Sequence, residues 1–262
     1  MSLAGNSMKA HSTRSSADVY LGSREVALQW DDETLWSHAT ADVSDALFHL
    51  GSEIGRAAND DGRRITKLRI WLSASLCRPV RLPPIGGKLS SSELRRASEA
   101  SAVAQSGMSG PCEVWLDAPD STGRLAVVVD QTVLEALDAM AKDLRARISS
   151  IRPFWAEALR VALLDRPAME ALAVWEGGAL TLLAGAGELI SVARSTMSVN
   201  DAEGANAAFL RTTIAEGIAT DGSLAIAMNL DGSQGCGAVN DAYPSLASLP
   251  FGAHIALLGA LS

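Results

Sequence analysis

The sequence has few cysteines and no long apolar run. Its three cysteines, Cys77, Cys112 and Cys236, are odd in number and far apart, and no CxxC pair occurs. This pattern indicates neither a disulfide framework nor a cysteine zinc site, and it favours a reducing compartment such as the cytoplasm. The longest apolar stretches fall well short of the ~18 to 20 residues that cross a bilayer, so the sequence predicts no membrane span.

Positive charge is also scarce. The chain has 22 Lys and Arg residues against 30 Asp and Glu residues, which gives a formal net charge of −8 and a pI of about 5.0. Proteins that bind nucleic acids neutralise phosphates with Lys and Arg, so this balance argues against a nucleic-acid partner. With 262 residues, 48% of them hydrophobic and 20% charged, the chain is typical of one large folded domain or two subdomains.

No motif of a common catalytic or metal centre is present. The sequence lacks GxSxG and HExxH, and Gly86-Gly87-Lys88 lacks the upstream glycine and the following hydroxyl residue of a phosphate loop. The histidines do not pair at metal-ligand spacing; they are His11, His38, His49 and His254. The glycines of Asp231–Gly237 could cradle an anion, but a surface loop is the simpler interpretation. We therefore predict no catalytic and no metal-binding residues.

Two similar hairpins are the clearest structural signal. From Asp18 to Trp30, apolar residues alternate on both sides of a turn at Gly22-Ser23, which predicts two short strands. The segment Leu172–Leu183 repeats this plan around a turn at Gly177-Gly178. One such hairpin near each end of the chain predicts a fold built from two similar halves.

The remaining elements are arranged around these hairpins. Residues 1–16 are polar and are interpreted as a disordered lead-in, 17–165 as the first half and 166–262 as a second, smaller half. Periodicity predicts helices over 39–58, 92–105, 131–148, 153–164 and 202–218. It predicts strands over 68–76, 112–117, 124–129, 189–194, 224–230 and 254–258, with a proline-rich loop or edge segment over 78–87.

Three segments resemble one family of proteins. Val19–Val26 is similar to the opening strand, Gly-Ser turn and return strand of PilM, a type IV pilus assembly protein. Arg124–Asp130, the helix after it and Ile148–Trp155 are similar to the cytoplasmic domain of the type II secretion L component (GspL). Val174–Gly177 falls where the second phosphate turn of the family lies. The resemblance implies an α/β (α+β) actin-like ATPase fold, with two similar halves that each contain a mixed sheet and flanking helices.

The chain departs from this family at its phosphate turns. In the members that hydrolyse nucleotides, an Asp in each turn organises Mg²⁺ and water. The resemblance places Tyr20 and Trp175 at those positions, and neither side chain can bind Mg²⁺ as a carboxylate does. We expect both aromatic rings to fill the cleft between the halves, and we expect no cofactor. The vestigial turns comprise Tyr20, Gly22, Ser23, Trp175, Gly177 and Gly178.

The resemblance implies a non-catalytic scaffold of a pilus or type II secretion platform. Such a protein would be cytoplasmic, peripheral to the inner membrane, and would bind a cytoplasmic peptide or domain of an inner-membrane protein; a homodimer is compatible with this role. One alternative is a nucleotide-binding switch or a weak ATPase or kinase-like enzyme, with metal ligands from Asp18 or Glu176. Another is an unrelated α+β protein whose strands only imitate the pattern.

Overall fold

The structure is a computed structural model that describes residues 14–30, 35–60, 64–118, 123–176, 178–185, 192–197, 201–219, 222–228, 230, 237–238, 243–251 and 254–258. The strands of the first half and its insertion are β1 (Arg14–Leu21), β2 (Glu25–Gln29), β3 (Leu35–Ala39), β4 (Arg64–Leu72), β5 (Cys77–Leu82), β6 (Cys112–Leu116), β7 (Arg124–Asp130) and β8 (Arg147–Pro153). The later strands are β9 (Ala171–Glu176), β10 (Ala179–Ala184), β11 (Val192–Met197), β12 (Ser223–Met228), β13 (Gly237–Ala238) and β14 (Ile255–Leu257). The helices are α1 (Val43–Asp60), α2 (Ser91–Ser106), α3 (Gln131–Asp143), α4 (Phe154–Asp165), α5 (Ala202–Ala215) and α6 (Pro244–Ala247).

Two sheets share one strand plan. The first has the order β3-β2-β1-β4-β8 and the second the order β11-β10-β9-β12-β14-β13. In each sheet, the first three strands of the chain pair as an antiparallel meander and the fourth pairs parallel to the first, with α1 or α5 as the crossover helix. The copies differ at the fifth strand, since β8 is parallel to β4 whereas β14 is antiparallel to β12. The predicted pair of similar halves is confirmed.

A third sheet, β5-β7-β6, is inserted between β4 and β8. Its core contains Val80 and Leu82 of β5, Ala126 and Val128 of β7, and Ala102 of α2. Helix α2 begins with a capping box in which the side chains of N-cap residue Ser90 and Glu93 bond each other's backbone N–H. Strand β5 lies at the edge of this sheet, so the segment 78–87, predicted as a loop or edge, is an edge strand in its first part.

Sequence periodicity misplaced several elements. Leu35–Ala39 forms β3, and α1 starts later than predicted, at Val43. Ile148, predicted as the last apolar residue of a helix, lies in β8 and pairs with Leu68. Residues 14–16, assigned to the lead-in, begin β1 and pair with β4. Residues 1–13 lie outside the described part of the chain, as do 231–236 of the predicted glycine loop.

One hydrophobic core is shared by both main sheets. It joins Leu21 and Ile70 of the first sheet to Val174 and Ile226 of the second, and the fully buried Trp155 of α4 belongs to it. A separate core, which includes Phe209 of α5, lies on the other face of the second sheet. The shared core brings the ends of β1, β4 and β9 together. The proposed boundary at residues 165 and 166 falls between α4 and β9.

Candidate functional site

A buried polar cluster lies where β1, β4 and β9 end. The turn after β4 is tied to the first hairpin, because the Ser73 N–H donates to the Leu21 carbonyl at 2.9 Å and the Ser23 N–H donates to Ser75 Oγ at 3.1 Å. Ser75 Oγ in turn donates to Ser73 Oγ at 3.0 Å. These contacts hold the turn at 73–76 against the first predicted phosphate turn.

Glu176 connects this turn to the second half of the molecule. It is the last residue of β9 and is only 1% exposed. The Ala74 N–H donates to Glu176 Oε1 at 2.8 Å, and Ser73 Oγ donates to the Glu176 backbone carbonyl at 3.4 Å. A side chain from the second hairpin therefore binds a backbone amide of the first half.

The environment of the Glu176 carboxyl favours its protonated form at neutral pH. Burial raises its pKa from 4.5 to about 8; the Ala74 N–H opposes this rise and the negative charge of Glu25 adds to it. Among the described residues, Glu176 Oε2 has no hydrogen-bond partner. A buried carboxyl with a strongly raised pKa, held between two halves of a fold, marks this cluster as the candidate functional site.

Tyr20 lies beside Glu176 and is completely buried. Its ring makes edge contacts with Phe154 and Phe251, at centroid distances of 5.7 and 6.2 Å. Burial, together with the negative charges of Glu176 and Glu25, raises the Tyr20 pKa well above 10. The Tyr20 hydroxyl lies near enough to Glu176 to lower its pKa, and it also lies near the Ser73 and Glu25 side chains, yet it makes no hydrogen bond of normal geometry to the described residues.

Cys77 completes the cluster as an inert thiol. Its Sγ donates to the carbonyls of Leu72 and Ser73 at 3.3 and 3.2 Å, and burial raises its pKa well above 9. The Trp155 indole N–H donates to the Cys77 carbonyl at 3.2 Å. Because the thiolate is the reactive form of cysteine, Cys77 acts here as a packing residue.

The structure separates the two aromatic residues that the sequence placed together. The Gly22 N–H donates to the Glu25 carbonyl and closes the first hairpin, whereas the second hairpin closes at the pair of Glu176 and Ala179. Counting back from each turn, Glu176 corresponds to Gly22, and Val174 rather than Trp175 corresponds to Tyr20. This one-residue shift puts the Trp175 side chain on the opposite face of its strand.

Trp175 therefore does not fill the space between the halves. It belongs to the separate core on the α5 side of the second sheet, together with Leu180 and Phe209. Tyr20 belongs to the core shared by both halves. The expectation that both rings plug the cleft is corrected: Tyr20 lies at the junction, and the second hairpin contributes Glu176 there instead of Trp175. Gly177 lies outside the described residues, and Gly178 lies in the turn with a φ of 76°.

Other candidate ligands already have protein partners. Asp18 Oδ1 accepts from Trp71 Nε1 at 3.0 Å, and its other oxygen pairs with Arg69. His38 and His49 are brought together on the surface, with ring centroids 4.1 Å apart. Within the described part of the chain, no group of three His, Cys, Asp or Glu residues could hold a metal ion.

The sequence predicts a role for Glu176 only in the nucleotide alternative, and it predicts no site role for Ser73, Ala74 or Ser75. A signal for Glu176 was available, because a single carboxylate ends a strand that is otherwise apolar. The turn residues gave no such signal, since they continue the apolar and small-residue pattern of β4.

Comparisons by sequence find no relative. No protein-family model matches the chain, and no curated protein matches it significantly. Within the residues that the structure describes, no helix combines the length and apolarity needed to cross a bilayer.

Comparisons of structure identify the fold. A Bacteroides thetaiotaomicron protein with an actin-like ATPase fold and unknown function matches with a TM-score of 0.50 at 9% identity, over 80% of this chain and 79% of that one. A chain of the PilM–PilN type IV pilus biogenesis complex matches with a TM-score of 0.48 at 15% identity, over 78% of this chain and 66% of that one. The cytoplasmic domain of EpsL, an inner-membrane component of the Vibrio cholerae type II secretion system, matches with a TM-score of 0.42 at 15% identity, over 69% of this chain and 70% of that one. The chain has the actin-like ATPase fold.

Proposed function

We propose that this chain is a non-catalytic scaffold subunit of a type IV pilus or type II secretion assembly platform. It acts at the cytoplasmic side of the inner membrane by binding a cytoplasmic peptide or domain of an inner-membrane protein. The choice of assembly system rests on the sequence resemblance of the first hairpin and of the segment 124–155. The absence of catalysis rests on the geometry of the junction.

The observation that carries the proposal is the bond between Glu176 and Ala74. Phosphoryl transfer depends on ionised carboxylates and Mg²⁺ around the γ-phosphate. Here the carboxyl at the second turn is protonated at neutral pH and already bonded to a backbone amide of the first half. The first turn contributes Tyr20, packed against Phe154 and Phe251. These residues do not fit a magnesium–nucleotide complex.

We expect no binding of MgATP. Isothermal titration with millimolar MgATP should give only the heat of dilution, and a phosphate-release assay should match a buffer blank. Micromolar affinity together with hydrolysis would overturn the non-catalytic proposal and favour the nucleotide-switch alternative.

The scaffold role is tested by partner capture. Cytoplasmic segments of the inner-membrane proteins encoded beside this chain, each fused to a tag, should retain the untagged protein on a resin. A scrambled version of the same segment is the control. If none of these segments retains the protein, the assignment to an inner-membrane platform is wrong.

A further inference from the structure

Strand β6 leaves one edge of the inserted sheet open. Among the described residues it pairs only with β7. The Gln131 N–H donates to the Pro111 carbonyl at 3.1 Å and the Asp117 N–H donates to the Leu125 carbonyl at 3.0 Å, so the odd-numbered residues of this segment bond to β7. Because bonding directions alternate along an antiparallel strand, Cys112, Val114 and Leu116 direct their N–H and C=O groups to the open edge.

The face of β6 that lies toward α2 is incompletely covered. Ala126 and Val128 of the neighbouring β7 are fully buried beneath the helix, but Val114 and Leu116 remain partly exposed. A groove of about 1030 Å³ runs between α2 and β6, with Val103 on its helix side. It therefore combines an apolar floor with a row of available backbone groups.

The groove carries an excess of positive charge. Arg95 and Arg96 of α2 and Arg124 of β7 line it, against Glu99 and Glu113. Arg95 Nε donates to Glu99 at 2.7 Å, which pairs one arginine with one glutamate. The uncharged Trp115 indole donates to Glu113 at 2.7 Å, so this carboxylate keeps its charge and the remaining cations, Arg96 and Arg124, exceed it by one. In a chain of net charge −8, this local excess favours an acidic ligand.

We propose that this groove binds an extended, acidic segment of a partner protein, which adds a strand to β6. Its backbone bonds to Val114 and its neighbours, and its acidic side chains face Arg96 and Arg124. An extended segment fits better than a helix, because only an extended backbone can use the outward-facing groups of an edge strand. The inference rests on the proposed scaffold function and specifies where such a partner would bind.

The first test uses a labelled eight-residue peptide in which Val and Glu alternate, followed by fluorescence anisotropy. We expect saturable binding, with at least tenfold weaker affinity for a peptide in which Lys replaces Glu. The double variant Arg96→Glu/Arg124→Glu should also bind the acidic peptide at least tenfold more weakly. Arg147→Glu, an exposed charge reversal on β8, is the matched control and should not change the affinity.

The second test addresses the backbone. Val114→Pro removes one outward N–H, and proline is tolerated at an edge position whose N–H is not part of the ladder. We expect at least a tenfold loss of peptide affinity, whereas Val114→Ala, which trims the side chain but keeps the N–H, should lose less. Circular dichroism checks that both variants are folded.

Cys112 offers a readout inside the groove that does not depend on a substitution there. In a Cys236→Ser background, its alkylation by iodoacetamide should slow severalfold when the acidic peptide is bound. The groove proposal is wrong if the acidic peptide fails to bind at millimolar concentration, binds no better than the Lys peptide, or is unaffected by Val114→Pro and the arginine reversals. If those variants still capture a platform segment, the groove proposal is wrong but the scaffold function is supported. If the protein hydrolyses ATP, the non-catalytic scaffold function is wrong, and the groove proposal is not affected.

Discussion

We expect the protein to lose stability as the pH rises from 5 to 8, and we expect replacement of Glu176 with glutamine to flatten this loss. The folded state holds this carboxyl with a pKa of about 8, whereas its ordinary value is 4.5. Between these values the unfolded chain releases the proton and the folded protein keeps it. Each pH unit in this window therefore lowers the free energy of unfolding by about 1.4 kcal/mol.

The direction of this effect follows from the two protonation states. Below pH 4.5 the carboxyl is neutral in both states, and above pH 8 it is ionised in both, so the slope is confined to the interval between them. From pH 5 to 8 the loss sums to roughly 3.5 kcal/mol. Glutamine has the shape of the protonated carboxyl and its oxygen can accept the bond from the Ala74 N–H, so Glu176→Gln should keep its low-pH stability throughout.

Urea unfolding at half-unit pH steps measures this slope. The matched control is Glu203→Gln, an exposed acid-to-amide change in the first turn of α5, which should run parallel to the wild type. A wild type and a Glu176→Gln variant with the same pH dependence would show that the carboxyl is not buried and protonated.

Because Glu176 joins the halves, the protein should also become more sensitive to protease above pH 8.

Local sequence signals were sufficient for the two hairpins and for the starts of α2 and α3. A glycine turn between alternating apolar residues, and an oxygen-bearing side chain at a helix start such as Ser90 or Asp130, depend only on neighbouring residues. The hairpin signals predicted the plan of two similar halves. The actin-like assignment came from the resemblance, which added the order of elements.

Elements whose pattern was ambiguous were misplaced. Residues 37–39 of β3 are exposed, so this edge strand carries no apolar alternation that periodicity could detect. Ile148 follows Leu144 by four residues and therefore continued the helical pattern, although the chain turns at Arg145, which has a φ of 52°. The structure of these segments depends on strand pairing, of β3 with the preceding β2 and of β8 with the distant β4, and a single sequence does not display either pairing.

The identity of the site residue in the second hairpin depends on the register of that hairpin, which the sequence does not determine. Trp175 and Glu176 are adjacent, and a shift of one residue decides which of them faces the first half. The resemblance aligned the turns by their glycines, but the hairpins close at different points relative to those glycines. Once the register is known, Glu176 replaces Trp175 at the junction.

Truncating Tyr20 to alanine is expected to destabilise the protein by about 3–5 kcal/mol, the range for removing a large aromatic ring from a core. The ring is fully buried between Phe154 and Phe251, at the point where the two halves share one core. Urea unfolding at pH 6, where Glu176 is protonated, measures the change without the carboxyl's ionisation. The midpoint should fall with little change in the slope of the transition.

Tyr20→Phe separates the ring from its hydroxyl. Since the hydroxyl is buried and makes no hydrogen bond of normal geometry to the described residues, its removal should leave stability unchanged or raise it by about 1–3 kcal/mol. Tyr243→Phe, at the partly exposed second tyrosine of the chain, is the control and should have little effect. If Tyr20→Phe lost as much stability as Tyr20→Ala, the hydroxyl would be holding the halves together through a strong hydrogen bond. The junction would then be a polar lock rather than a packed hydrophobic plug with one protonated carboxyl.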